Sequence, residues 1–135
     1  MIEVYTDGAS AGNPGPSGAG IFIKANGEVF RYSIHLGSMS NHEAEFLALI
    51  KGLEVCHDKG FKVVSFRTDS ELVCRAIEKE FVKNSTYTPL LEKALNLTQC
   101  FDLFFIKWIP SSMNKVADDL ARKAIRSSCS YQENE

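Results

Sequence analysis

The pair Asn26-Gly27, set between two runs of alternating apolar residues, constrains this chain more than any other local feature. A two-residue Asn-Gly connection suits the turn whose twist matches that of the strands it joins. Gly18–Lys24 and Val29–Leu36 are therefore expected as an antiparallel hairpin. In the second run Phe30, Tyr32, Ile34 and Leu36 alternate with Arg31, Ser33 and His35, the pattern of a strand with one wet face. Ile2–Thr6 precedes them as another strand, so the chain opens as a three-stranded meander.

The period then changes. Phe46, Leu47, Leu49, Ile50, Leu53 and Cys56 recur at helical spacing, which predicts a helix from Asn41 to Lys59 that stops at Gly60. Phe61–Thr68 reads as a strand, Ser70–Glu80 as a helix carrying Leu72, Val73, Ala76 and Ile77, and Thr88–Leu97 as a helix with Pro89 in its first turn. Phe101–Ile109 is nearly all apolar and predicts a strand buried on both faces, with Trp108 in the core. A last helix from Met113 to Ile125 carries the stripe Val116, Ala117, Leu120, Ala121 and Ala124. Residues 127–135, SSCSYQENE, have no periodicity and are expected to be disordered. The resulting order β-β-β-α-β-α-α-β-α predicts one α/β domain over residues 1–126: a mixed five-stranded sheet, three antiparallel strands then two parallel ones, flanked by helices.

With 135 residues and 44% hydrophobic content, one domain with a real core is expected. No stretch has the apolar length of a bilayer span, so a cytoplasmic monomer without a membrane partner is expected. Cys56, Cys74, Cys100 and Cys129 are too scattered for a zinc site, and three of them are expected in the core. His35, His42 and His57 are scattered as well. A formal net charge of −2 supplies no global attraction for nucleic acid, though a local basic face would suffice.

Four carboxylates stand out. Asp7 closes the first strand and Asp69 the fourth; if those strands are neighbours, both acids face one crevice. Glu45 lies early in the first helix, and Asp118 early in the last helix, off its apolar stripe. Singly, each has a plain explanation: Asp69 as a helix cap, Glu45 and Asp118 as first-turn acids favoured by the helix dipole. Jointly they would repel one another in one crevice unless a hard divalent cation were bound. An all-carboxylate set suits magnesium, with manganese as a substitute, better than zinc. Two such ions ~4 Å apart can activate water on one side of a phosphodiester and stabilise the leaving oxygen on the other.

The stretch TDGASAGNPGPSGAG, residues 6–20, contains no G-x-x-x-x-G-K-[ST] phosphate loop and leads into a strand where a dinucleotide fingerprint needs a helix. It closely resembles the first motif of type 1 ribonuclease H. SNHEAEFLALIKGLE resembles that family's second block, TDSELV its third, and Asn114, Asp118, Leu120 and Ala121 its fourth, N-x-x-x-D-x-L-A. Four motifs in order along almost the whole chain make the resemblance specific.

The resemblance implies a ribonuclease H-like fold and hydrolysis of the RNA strand of an RNA–DNA hybrid, leaving a 5′-phosphate and a 3′-hydroxyl. Asp7 would bridge two magnesium ions, Asp118 would help hold the water-activating ion, and Glu45 with Asp69 the ion near the leaving oxygen. Gly8, Ser10, Asn13 and Asn41 fall where the family contacts the minor groove, with His42 and Glu71 at further contact positions. Small residues behind Asp7 would let the sugar–phosphate backbone pass, and reading 2′-hydroxyls distinguishes RNA from DNA. The chain departs from the family in three respects. IPSSMNK has no histidine before the last helix, Glu71 stands where an uncharged amide is common, and residues 78–88 are too short for a basic protrusion. An acid facing phosphates weakens binding, so Glu71 also suits an alternative: a ribonuclease H-like binding module with weak or no cleavage.

Overall fold

A computed structural model describes residues 1–127 and 131–134. Strands β1 (Ile2–Ser10), β2 (Gly15–Ala25) and β3 (Glu28–Met39) form the opening meander. Asn26 and Gly27 take φ of 53° and 85°, and Ala25 pairs with Glu28, so the Asn-Gly turn sets the register of the hairpin. Helix α1 (Asn41–Asp58) follows, then β4 (Val63–Thr68), α2 (Glu71–Lys79), α3 (Thr88–Thr98), β5 (Leu103–Trp108) and α4 (Lys115–Arg126).

Side chains of the flanking loops start the helices. Ser40 and Glu43 form a reciprocal cap on α1: the Ser40 hydroxyl accepts from the Glu43 N–H, and the Glu43 carboxylate accepts from the Ser40 N–H, each at 3.2 Å. Ser70, not Asp69, caps α2, accepting from the Val73 N–H at 3.2 Å. Asp69 is thereby left free of the capping role its position suggested.

The sheet runs β5-β4-β1-β2-β3, with β1, β2 and β3 antiparallel, β4 parallel to β1 and β5 parallel to β4. This is the expected mixed five-stranded sheet. A short sixth strand, β6 (Tyr131–Asn134), adds to the outer edge of β3, from Phe30↔Asn134 to Ser33↔Tyr131. Those four residues were expected to be disordered; strand addition at a sheet edge relies on backbone groups, which leave no periodic signature in so short a segment. Positions 128–130 and 135 of that expectation lie outside the described residues.

Both faces of the sheet carry helices. Ile2, Val4, Ile21, Ile23, Val64 and Phe66 form one buried cluster with Phe46, Leu49, Ile50 and Leu53 of α1. Helix α4 packs on the opposite face, over β1, β2 and β3. That close approach explains much of the glycine. A Cβ on Gly20 would run into the Ala117 carbonyl, one on Gly18 into the Ala121 carbonyl, and one on Gly8 into the Ala44 carbonyl of α1. At these three positions the missing side chain admits a helix, a role that the sequence did not disclose. Asp7, too, lies within β1 and not at its end, because β1 and β2 pair as far as Ser10↔Ser17.

Strand β5 is one edge of the sheet, and its far face is open. Phe104 and Ile106 pack against the core, but Leu103 and Phe105 on the far face are 54% and 47% exposed, and Trp108, at the strand's end on the core side, is 46% exposed. Burial on both faces is therefore not observed; α4 does not reach β5, and an apolar run alone cannot reveal that. Val116 is likewise exposed, which narrows the α4 stripe to Ala117, Leu120, Ala121 and Ala124. Cys56 and Cys74 are buried but Cys100 is exposed, so only two described cysteines are core residues; Cys129 lies outside the described residues. Among the described residues, no helix is long and apolar enough to cross a membrane.

Candidate active site

The parallel pairing of β1 with β4 ends at Thr6↔Thr68. The next residue on each chain is an aspartate, so Asp7 and Asp69 emerge side by side. Asp7 points to the α4 face, since it pairs with Gly20, whose missing Cβ faces Ala117. Asp118 enters from the first turn of α4, and Glu45 from α1 on the far side. All four acids line one open crevice of about 500 Å³, together with Gly8, Ser10, Asn41 and Arg122.

Asn114 fixes the approach of α4 to β1. Its side-chain N–H donates to the Thr6 carbonyl at 3.0 Å, and its backbone carbonyl accepts from the Asp118 N–H at 3.1 Å in the first turn of α4. The Asn114 side chain thus ties the residue before Asp7 to the start of the helix that carries Asp118. The N-x-x-x-D spacing marked Asn114 as a motif member but did not disclose this tie across the fold. Trp108 has a comparable position: its indole N–H donates to the Asp69 carbonyl at 3.1 Å. It is half exposed and serves as a strut beside the site, correcting its expected place in the core.

The cost of gathering the acids falls on Asp7, which is 8% exposed. Burial first, then the neighbouring Asp69 and Asp118 carboxylates, push its carboxyl from 3.8 up to about 9. Glu45 and Asp118 have local partners. His42 Nδ1 lies 2.9 Å from Glu45 Oε1, and Arg122 Nε lies 3.2 Å from each oxygen of Asp118. Consistent with these pairings, no three His, Cys, Asp or Glu side chains among the described residues close into a metal-ligand cluster. The donor set nevertheless fits a hard cation: it is all carboxylate oxygen, and its most buried member carries repulsion that a divalent charge relieves.

The substrate-contact candidates divide. Gly8, Ser10 and Asn41 line the crevice. Asn13 is adjacent, its side-chain oxygen accepting from the Asn41 N–H at 3.3 Å. His42 is not among the lining residues; it acts on the crevice through Glu45 and sets its ring edge-on to Tyr87. Glu71 is also absent from the lining: it points along α2, with its carboxylate 3.3 Å from the Arg75 guanidinium. The helix turn that places Asp69 in the crevice sends Glu71, two residues on, to a different surface.

Such a sheet, with acids gathered where its central parallel strands end, defines a ribonuclease H-like protein. Residues 5–124 match the family profile described as reverse transcriptase-like. The chain is 40% identical over 128 residues to EbsB of Enterococcus faecalis, a protein given the provisional name of hydrolase, covering 93% of this chain and 95% of that one. It is 34% identical over 130 residues to ribonuclease HI of Halobacterium salinarum, covering 92% of this chain and 64% of that protein. The crystal structure of RNase H1 from the same archaeon superposes with a TM-score of 0.88 at 34% identity, covering 93% of this chain and 97% of that one. LC11-RNase H1 in complex with an RNA/DNA hybrid superposes with a TM-score of 0.86 at 32% identity, covering 93% and 97%. The chain belongs to the type 1 ribonuclease H family.

Proposed function

We propose that this protein hydrolyses the RNA strand of RNA–DNA hybrids using two divalent ions, magnesium or, as a substitute, manganese. The observation that carries the reading is the convergence of Asp7, Glu45, Asp69 and Asp118 from four separate elements onto one crevice. Like charges gathered at this cost to Asp7 serve little purpose in a plain binding module. Bound ions would activate a water for attack on the phosphodiester and stabilise the leaving 3′ oxygen.

The chain's own groups supply the rest. Asp7, central and most buried, would bridge both ions; Asp118 would serve the attacking side and Glu45 with Asp69 the leaving side. Asn114 and Trp108 hold the backbones of Asp118 and Asp69 so that the carboxylates need little reorganisation. Ser10, Asn13 and Asn41 present small polar groups at the crevice rim, suited to sugar hydroxyls. The main support for a non-cleaving module was Glu71 facing phosphates. Glu71 pairs with Arg75 outside the crevice lining, which makes that alternative the weaker reading.

A labelled RNA–DNA hybrid incubated with magnesium tests the reading. Cleavage of the RNA strand by the parent, with 5′-phosphate ends and none from Asp7→Asn, is the expected result. Tight hybrid binding by both proteins without cleavage would identify a binding module instead.

A further inference from the structure

Arg122 is the one cationic residue among those lining the acid crevice. It stands one turn beyond Asp118 on α4, with its Nε 3.2 Å from both carboxylate oxygens. An exposed pair four residues apart on a helix is weak, and a divalent cation competes with it easily. The guanidinium is tethered at the rim and its side chain is 66% exposed, so it has room to swing. A nucleic-acid strand entering a crevice lined by four carboxylates needs positive charge beyond that of bound ions. The planar fork of arginine matches phosphate oxygens in pairs.

We infer that Arg122 is an exchangeable counter-ion: it neutralises Asp118 in the metal-free protein and, when a cation takes that carboxylate, turns its guanidinium to a phosphate of the hybrid. The inference rests on the hybrid-cleavage reading above. The two roles have opposite signs. Arg122 opposes metal binding, through competition for Asp118 and through its own charge, and favours binding of the polyanion.

Arg122→Gln separates these roles, and its exposed position leaves the fold intact, as a melting curve would verify. Titration calorimetry of magnesium into hybrid-free protein is expected to show about two- to tenfold tighter binding in the variant. Fluorescence anisotropy with a labelled hybrid, in calcium so that the strand persists, is expected to show binding weakened by roughly three- to tenfold at low salt. The slope of log affinity against log salt should fall by about one. Arg122→Lys, which keeps the charge, should restore most of the hybrid affinity. Magnesium binding that is unchanged or weaker in Arg122→Gln overturns the inference, as does unchanged hybrid affinity. A parent protein that binds neither magnesium nor hybrid would remove the reading beneath it, and the inference with it.

Discussion

Replacing Asp7 by asparagine should stabilise this protein while destroying its cleavage activity. In the fold the Asp7 carboxyl is raised to about 9 by burial and by Asp69 and Asp118, against an ordinary value of 3.8 in the unfolded chain. An acid raised in this way binds its proton more tightly folded than unfolded, so stability falls as pH climbs from the unfolded value toward the folded one. Each pH unit in that window removes up to about 1.4 kcal/mol, so at pH 7 the cost reaches ~4 kcal/mol, and ~2 kcal/mol if the crevice relaxes by half. Asparagine has nearly the same shape and no charge, so it removes this term. Urea denaturation in chelating buffer should show the variant about 2–4 kcal/mol more stable than the parent at pH 7, with the gap closing toward pH 4. Magnesium should narrow the gap by stabilising only the parent. A variant less stable than the parent at pH 7, or a gap that ignores pH, would refute the claim that Asp7 carries unrelieved repulsion.

Two further substitutions probe the supports of the site. Gly20→Ala places a methyl group against the Ala117 carbonyl and must push α4 off the sheet. We expect a loss of roughly 2–4 kcal/mol in thermal or urea unfolding, with activity falling further than stability because Asp118 moves with the helix. Asn114→Ala deletes the buried bond to the Thr6 carbonyl. A cost of about 1–3 kcal/mol is expected, with a lower kcat and little change in hybrid KM, since the tie positions Asp118 rather than substrate.

The strands and helices were legible because their signals are short-range. Asn26-Gly27 named its turn, the alternation from Phe30 to Leu36 named its strand, and Phe46 to Cys56 named α1 by spacing alone. The four acids were legible for a different reason: motif spacing keeps them in order along the chain, and parallel neighbours β1 and β4 put two of them side by side. The failures share one cause. Whether Phe105 is covered depends on where α4 crosses the sheet, and how far Trp108 is covered depends on how α2 packs beside it. No local pattern encodes either.

Residue order thus specified the elements, the hairpin register and the identity of the clustered acids, since each depends on neighbours a few positions apart. Assembly in three dimensions decided the rest. Only there does the lack of a side chain at Gly8, Gly18 and Gly20 become contact with a helix, and only there does Asn114 reach Thr6, 108 positions away. Only there, too, does one acid among four, Asp7, lose its water and carry the repulsion of its neighbours. Desolvation and close packing belong to surfaces brought together from distant parts of the chain, and a linear pattern does not contain them.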